Sequence, residues 1–180
     1  SSTRGFKVFD PRIQGLRPAD SRSSTRGYFG VGWCPLTQRH PIRNGAIMLV
    51  TTATYRRNPF FADPVLAREA VEHLYRVQER MPFSLFGFVI MPDHCHFLLQ
   101  VPEPGSVSSL LRTYKMGLSF QVGIAPLWQS RFHIRLVEDP SAALSYIHLN
   151  PMKAGLCLIP EAYPWSSASG KWDVAESEWI

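Results

Sequence analysis

The chain has 180 residues, 45% of them hydrophobic, and a formal net charge of +5. That length and apolar content suit one domain with its own core, and no run of 18 or more apolar residues exists to cross a membrane as a helix. Cys34, Cys95 and Cys157 are odd in number and far apart. They argue against both a disulfide framework and a cysteine-based zinc cluster. A reducing, cytoplasmic setting is expected, and no secretory pattern opens the sequence.

The charge is unevenly spread. Residues 1–44 hold eight basic side chains (Arg4, Lys7, Arg12, Arg17, Arg22, Arg26, Arg39, Arg43) against Asp10 and Asp20, a local net of +6, so the remaining 136 residues sum to −1. This segment is rich in Arg, Ser, Gly and Pro, lacks sustained periodicity, and reads as an extended basic arm. Such an arm favours polyanions through phosphate contacts, although solvated arginines that bind nothing in particular fit it equally. A short echo, Ser1-Ser2-Thr3-Arg4-Gly5-Phe6 and Ser23-Ser24-Thr25-Arg26-Gly27-Tyr28, has too few copies for a solenoid. The expected organisation is an arm over 1–44, a domain over 45–168 and a tail over 169–180.

Residues 46–54 form a β-branched, apolar strand, followed by the basic turn Tyr55-Arg56-Arg57-Asn58-Pro59. Asp63-Pro64 reads as an N-cap with proline at the first helical position. The helix runs to about Arg80 with Leu66, Ala70, Leu74 and Val77 on its apolar face. Phe83–Ile90 and His94–Val101 are strands joined by a short break at Met91-Pro92-Asp93, hence antiparallel neighbours. Ser106 caps a helix over 107–122 with Val107, Leu111, Tyr114 and Leu118 on one face. Phe132–Val137 is a fourth strand. Asp139-Pro140 starts a last helix, which Pro151 is expected to end near Asn150. Strand, helix, strand, strand, helix, strand, helix predicts an α+β, ferredoxin-like β-α-β-β-α-β sandwich with an additional C-terminal helix. One sheet face is expected to be covered by helices and the other left free for a site.

The most informative residues are His94-Cys95-His96, read with Tyr146 and Asn150. Strand side chains alternate, so the two histidines share a face while Cys95 points into the core. Imidazole is the commonest metal ligand at neutral pH, yet a His-x-His alone also describes two buried histidines satisfied by hydrogen bonds. Tyr146 and Asn150, four apart, share a helix face. A tyrosine, with a pKa of about 10, becomes a plausible nucleophile on a phosphodiester beside a cation. Asn150 reads either as a neutral oxygen ligand or as a helix cap. Tyr114, flanked by Arg112 and Lys115, is a competing nucleophile, but it lies in the apolar stripe and is assigned to the core. Arg56, Arg57, Arg112, Lys115, Arg131 and Arg135 are candidate DNA contacts.

Several stretches resemble one family. Phe88-Val89-Ile90-Met91-Pro92-Asp93-His94-Cys95-His96-Phe97-Leu98-Leu99 is similar to the His-hydrophobic-His (HUH) motif of single-tyrosine (Y1) transposases of the IS200/IS605 kind. Tyr146-Ile147-His148-Leu149-Asn150-Pro151-Met152-Lys153-Ala154-Gly155-Leu156 resembles their REP-associated branch. Residues 50–59, 127–132 and 163–167 agree in order, so the likeness covers about 40–168. The resemblance implies a bacterial single-strand DNA endonuclease and strand transferase acting on hairpin-forming repeats. His94, His96 and Asn150 would bind Mg²⁺ or Mn²⁺, and Tyr146 would form a 5′-phosphotyrosine. It further implies a cytoplasmic, nucleoid-associated protein, with a monomer favoured over a dimer. The competing readings are a non-catalytic nucleic-acid-binding protein that keeps the fold, and a phosphodiesterase using metal-bound water with Asp93 as the nearby carboxylate.

Overall fold

The computed structural model describes residues 45–176; the basic arm read over 1–44 and residues 177–180 lie outside them. Strands β1 (Ile47–Thr54), β2 (Ser84–Met91), β3 (His94–Gln100) and β4 (Trp128–Leu136) form one antiparallel sheet in the order β2-β3-β1-β4. Helices α1 (Pro64–Arg80) and α2 (Val107–Val122) follow β1 and β3, and α3 (Pro140–Lys153) follows β4. This is the expected ferredoxin-like α+β arrangement with an added helix.

Each helix begins where a side chain satisfies its free amides. Asp63 accepts from the Val65 amide, Ser106 from Ser109 and Asp139 from Ala142, caps worth about 1 kcal/mol each. α2 ends at Gly123 with φ 68, a left-handed turn that glycine adopts without steric cost.

Strand alternation sorts the sheet into two faces. Cys95, Phe97 and Leu99 join Met48, Val50, Phe88 and Ile90 beneath α1 and α2 in the main core. Leu98, Leu49, Phe86 and Val89 form a second cluster with Ala143 and Ile147 of α3 and with Tyr163. Full burial of side chains this size stabilises by roughly 1.5–3 kcal/mol each. The second face is therefore not free, as the sequence suggested: α3 lies over β2 and β3. Only the β4 side carries exposed side chains, Arg131, His133 and Arg135.

Three further departures have local causes. β4 starts at Trp128 rather than Phe132, because the β1–β4 register shifts between Thr52 and Thr54, the extra residues lying in β4, so that Thr54 pairs with Trp128. A bulge between Leu85 and Gly87 in β2 breaks strict alternation, so Phe86 and Val89, three apart, share the α3 face. α3 runs through Pro151 to Lys153 instead of stopping at Asn150. Proline supplies no amide to the Ile147 carbonyl, but the Ala154 amide still bonds to the Asn150 carbonyl at 3.0 Å and Leu156 to Pro151 at 2.9 Å.

After α3 the chain returns along the outer edge of β2. Ile90 donates to the Trp165 carbonyl and Ala175 to that of Leu85, at 2.8 and 2.7 Å, and Trp172 stacks on Tyr75. These residues cover an edge that would otherwise expose unpaired backbone groups.

His73 of α1 is buried at the α2 interface, its ring centroid 5.7 Å from that of Tyr114. A Cβ on Gly117 would stand 2.4 Å from His73 Nε2, so α2 can seat against this ring only with glycine there. Burial lowers the His73 pKa, helped by the Arg76 charge and opposed by Gln121 and the Thr113 carbonyl; neither ring nitrogen reaches hydrogen-bond geometry with a partner among the described residues. An unfolded chain takes up this proton near pH 6.5 while the native state resists it. Stability is therefore complete above about pH 6.5 and falls as the pH drops below it. Urea unfolding at pH 7 and pH 5 is expected to show a smaller loss for His73→Leu than for wild type; equal losses would mean that His73 is protonated in the native state.

Candidate functional site

His94 opens β3 and His96 follows two residues later, so both project from the face that α3 covers. Their ring centroids lie 4.8 Å apart with planes at 88°. The hairpin turn that presents them is Pro92-Asp93, since Met91 pairs with His94. The end of β1 pins this turn: the Thr54 amide donates to the Asp93 carbonyl and that of Phe61 to the Pro92 carbonyl, each at 2.9 Å.

Tyr146 reaches the pair from α3. Its ring meets His96 edge to face, centroids 5.7 Å apart at 74°. The tyrosine is 37% exposed and His96 only 5%, so the phenol stands at the mouth and the imidazole behind it. The Asn150 amide nitrogen donates to the Tyr146 carbonyl at 2.8 Å, leaving Oδ1 as its acceptor. Ile147, buried between them on the inner face of α3, anchors the turn that carries both.

Each histidine is held through the same nitrogen. Asp93 Oδ1 lies 2.5 Å from His94 Nδ1, and Thr51 Oγ1 of β1 lies 2.8 Å from His96 Nδ1. The carboxylate accepts the Nδ1 proton of His94, and the hydroxyl can accept that of His96. Both Nε2 lone pairs are then left for another partner, the way an outer group sets the tautomer of a metal-binding imidazole. Arg57 Nη1 closes the chain at 3.2 Å from Asp93 Oδ2. For this, Arg56 and Arg57 take successive left-handed conformations, φ 54 and 58, each costing about 1–3 kcal/mol for a residue other than glycine.

These contacts set the local charge. Burial lowers the His96 pKa to about 3, with smaller contributions from His94 and Arg57. His96 is therefore a neutral donor at physiological pH. Burial alone would raise the Asp93 pKa, but the bond and charge of His94, then Arg57, outweigh it and hold the carboxyl low. Asp93 is thus ionised and engaged on both oxygens, an anchor rather than an idle base.

His94, His96 and Tyr146 lie side by side, with Asn150 one helical turn from Tyr146, whereas the basic candidates separate. Arg131 and Arg135 extend from β4 on the histidine face, opposite to Phe132 and Ile134, which pack against the main core. Arg56 lies over the Tyr55 ring at 5.2 Å. Arg112 and Lys115 belong to α2, across the sheet from the histidines, and Lys115 donates to the carbonyls of Gln129 and Ser130. Tyr114 is fully buried and donates to the Ala70 carbonyl at 3.1 Å, as a core tyrosine should. Sequence reasoning missed Thr51 and His133. They are cross-strand partners, and Thr51 also pairs with His96, so His96, Thr51 and His133 form one row over β3, β1 and β4. Only the register reveals it. Among the described residues no three His, Cys, Asp or Glu side chains are placed to share a metal ion, so a third protein ligand here would be of another type, such as the Asn150 amide.

Residues 42–149 match the family model described as "Transposase IS200 like". The chain belongs to this family of transposases. The family is one of enzymes that cut and transfer DNA. Among its relatives is a protein of Escherichia coli named REP-associated tyrosine transposase, 27% identical over 135 residues, which span 72% of this chain and 80% of that protein. A Haemophilus influenzae protein provisionally given the same name is 29% identical over 107 residues, 49% of this chain and 61% of its own. A solved structure titled as a REP-associated tyrosine transposase bound to a REP hairpin superposes with a TM-score of 0.64 at 23% identity, covering 79% of this chain and 95% of that one. The fold is therefore that of this transposase neighbour.

In this IS200-like chain α3 packs closely over Gly87. A Cβ there would lie 2.3 Å from Leu144 Cδ1. Gly87→Val is expected to destabilise by roughly 1–3 kcal/mol through overpacking and to weaken the nuclear Overhauser contact between the Tyr146 and His96 rings. Leu144→Ala in the same chain should restore much of both. An unchanged melting temperature and ring contact in Gly87→Val would show that α3 is seated by other groups.

Proposed function

We propose that this chain is a metal-dependent single-strand DNA endonuclease and strand transferase, with Tyr146 as nucleophile and hairpin-forming repeats as substrate. The observation that carries it is the approach of Tyr146 to His96, beside two imidazoles whose Nδ1 atoms are both engaged. The name of the E. coli relative and the hairpin held by the structural neighbour support the substrate class.

His94 and His96 would hold a divalent cation, Mg²⁺ or Mn²⁺, through Nε2, and Asn150 through Oδ1. Two imidazoles favour Mn²⁺ over Mg²⁺ among hard cations. Bound there, the cation withdraws charge from the scissile phosphate and lowers the barrier to attack. Tyr146 Oη forms a bond to phosphorus and its proton passes to solvent. The bond from phosphorus to the 3′ oxygen breaks, and that oxygen leaves with the electron pair and takes up a proton. The product is a 5′-phosphotyrosine and a free 3′ hydroxyl. A later 3′ hydroxyl reverses the exchange, so the bond energy is conserved without ATP. The engagement of Asp93 by His94 and Arg57 weighs against hydrolysis by a metal-activated water with that carboxylate as base.

The open β4 side gives the strand a path. Arg131, His133 and Arg135 are exposed and alternate with Phe132 and Ile134. Side chains on one strand face recur every ~6.7 Å, close to the separation of phosphates along an extended single strand. Arg56 adds a cation beyond the hairpin turn. Arg112 and Lys115, on the far side of the sheet, take no part in this path, and Arg57 serves Asp93.

Labelled hairpin oligonucleotides from the repeats flanking the gene, incubated with Mn²⁺ or Mg²⁺, are expected to give a covalent adduct on a denaturing gel. The adduct should vanish with Tyr146→Phe and with EDTA. Cleavage without an adduct would replace this reading by metal-activated water, and tight binding without cleavage by a binding protein. For the β4 path, Arg131→Ala with Arg135→Ala should lower the slope of log affinity against log salt by about 2, near one per lost phosphate contact. An unchanged slope would move the strand elsewhere.

A further inference from the structure

The extension of α3 past Pro151 brings a residue to the site that the sequence pattern left outside the helix. Lys153 occupies its last position, two turns beyond Tyr146, and its ammonium lies over the Tyr146 ring, 5.4 Å from the centroid. Tyr146 is thus flanked by His96, in a T-shaped pair, and by a cation over its face.

We propose that Lys153 is a catalytic residue of the Tyr146 reaction, contacting the non-bridging oxygens of the phosphate as it passes to and from the phenol oxygen. This rests on the tyrosine reading above. The distance fits the role. An ammonium over the ring lies within side-chain reach of a phosphate joined to the same ring's oxygen, and the lysine stem has the freedom to follow it. The chemistry fits too. Negative charge grows on the phosphoryl oxygens as the bond from Oη forms and the bond to the 3′ oxygen loosens, and a positive charge held beside them lowers the barrier. In rejoining, the bonds exchange roles and Tyr146 departs as an anion beside the same cation. One residue would then assist both directions, as a transferase requires.

A lysine in the last helical turn also interacts favourably with the helix C-terminus. That role affects folding but not the rate of a bound complex, so the test separates binding from chemistry. Hairpin affinity is measured by fluorescence anisotropy in EDTA, and adduct formation in single turnovers at saturating DNA with Mn²⁺, for wild type, Lys153→Met and Lys153→Arg. Lys153→Met is expected to slow adduct formation roughly 10–100-fold with affinity within about threefold and melting nearly unchanged. Rejoining from the isolated wild-type and Lys153→Met adducts should differ by the same factor. Lys153→Arg should recover most of the rate. An undiminished rate in Lys153→Met, or an affinity loss that accounts for the whole effect, would remove Lys153 from the chemistry while leaving Tyr146 in place. A wild-type protein that forms no adduct would overturn the tyrosine reading and this one with it.

Discussion

The site depends on the seating of α3 across the β2–β3 hairpin. The histidines are rigid because the sheet holds them, while the tyrosine stands on a separate element that meets the sheet through a small apolar cluster. Ala143 and Ile147 pack on Leu98, Val89 and Phe86, and His148 Nε2 lies 2.8 Å from Ser167 Oγ at the seam. At Gly87 the absence of a Cβ lets the Leu144 side chain of α3 pack directly against β2. The contact is modest beside the core under α1 and α2, yet it sets the distance between Tyr146 and the two histidines.

The histidines show the opposite economy. Both imidazoles are fixed through Nδ1, one by a carboxylate from the preceding residue and one by a hydroxyl from the neighbouring strand. The two anchors differ in strength for a reason that the geometry makes plain. His96 is buried and kept neutral, so a hydroxyl suffices to orient it. His94 is nearer to solvent and takes a charged partner, itself neutralised by Arg57. The left-handed backbone at Arg56 and Arg57 is the cost of bringing that guanidinium to Asp93. Strain thus gathers where the carboxylate that anchors His94 needs its charge balanced.

Much of this was legible in the sequence because it is written in local signals. Asp63-Pro64 and Asp139-Pro140 mark helix starts, and the apolar stripe containing Tyr114 correctly removed that tyrosine from the chemistry. The alternation around Cys95 placed both histidines on one face. What was not legible depends on register or on tertiary support. The bulge at Leu85–Gly87 reverses which side chains face α3, and no local pattern announces it. Pro151 reads as a stop because it lacks an amide, whereas the bonds from Ala154 and Leu156 carry the helix beyond it. Thr51 is an unremarkable strand residue until its pairing with His96 is known, and Asp93, read as the carboxylate beside a metal-bound water in the competing reading, is engaged by His94 and Arg57. The family likeness pointed to the right region without revealing these supports.

The division of the sheet follows from the same facts. Covering β2 and β3 with α3 shelters His96 and puts Tyr146 at a boundary, while β4 keeps its outward row of Arg131, His133 and Arg135 exposed on the same face. Sheltering makes an imidazole a good neutral donor, and exposure lets a polyanion reach the phenol, but one surface cannot satisfy both demands. The row His96–Thr51–His133 crosses this boundary in a single register. The buried end holds His96, the open end exposes His133, and the threonine between them pairs with both.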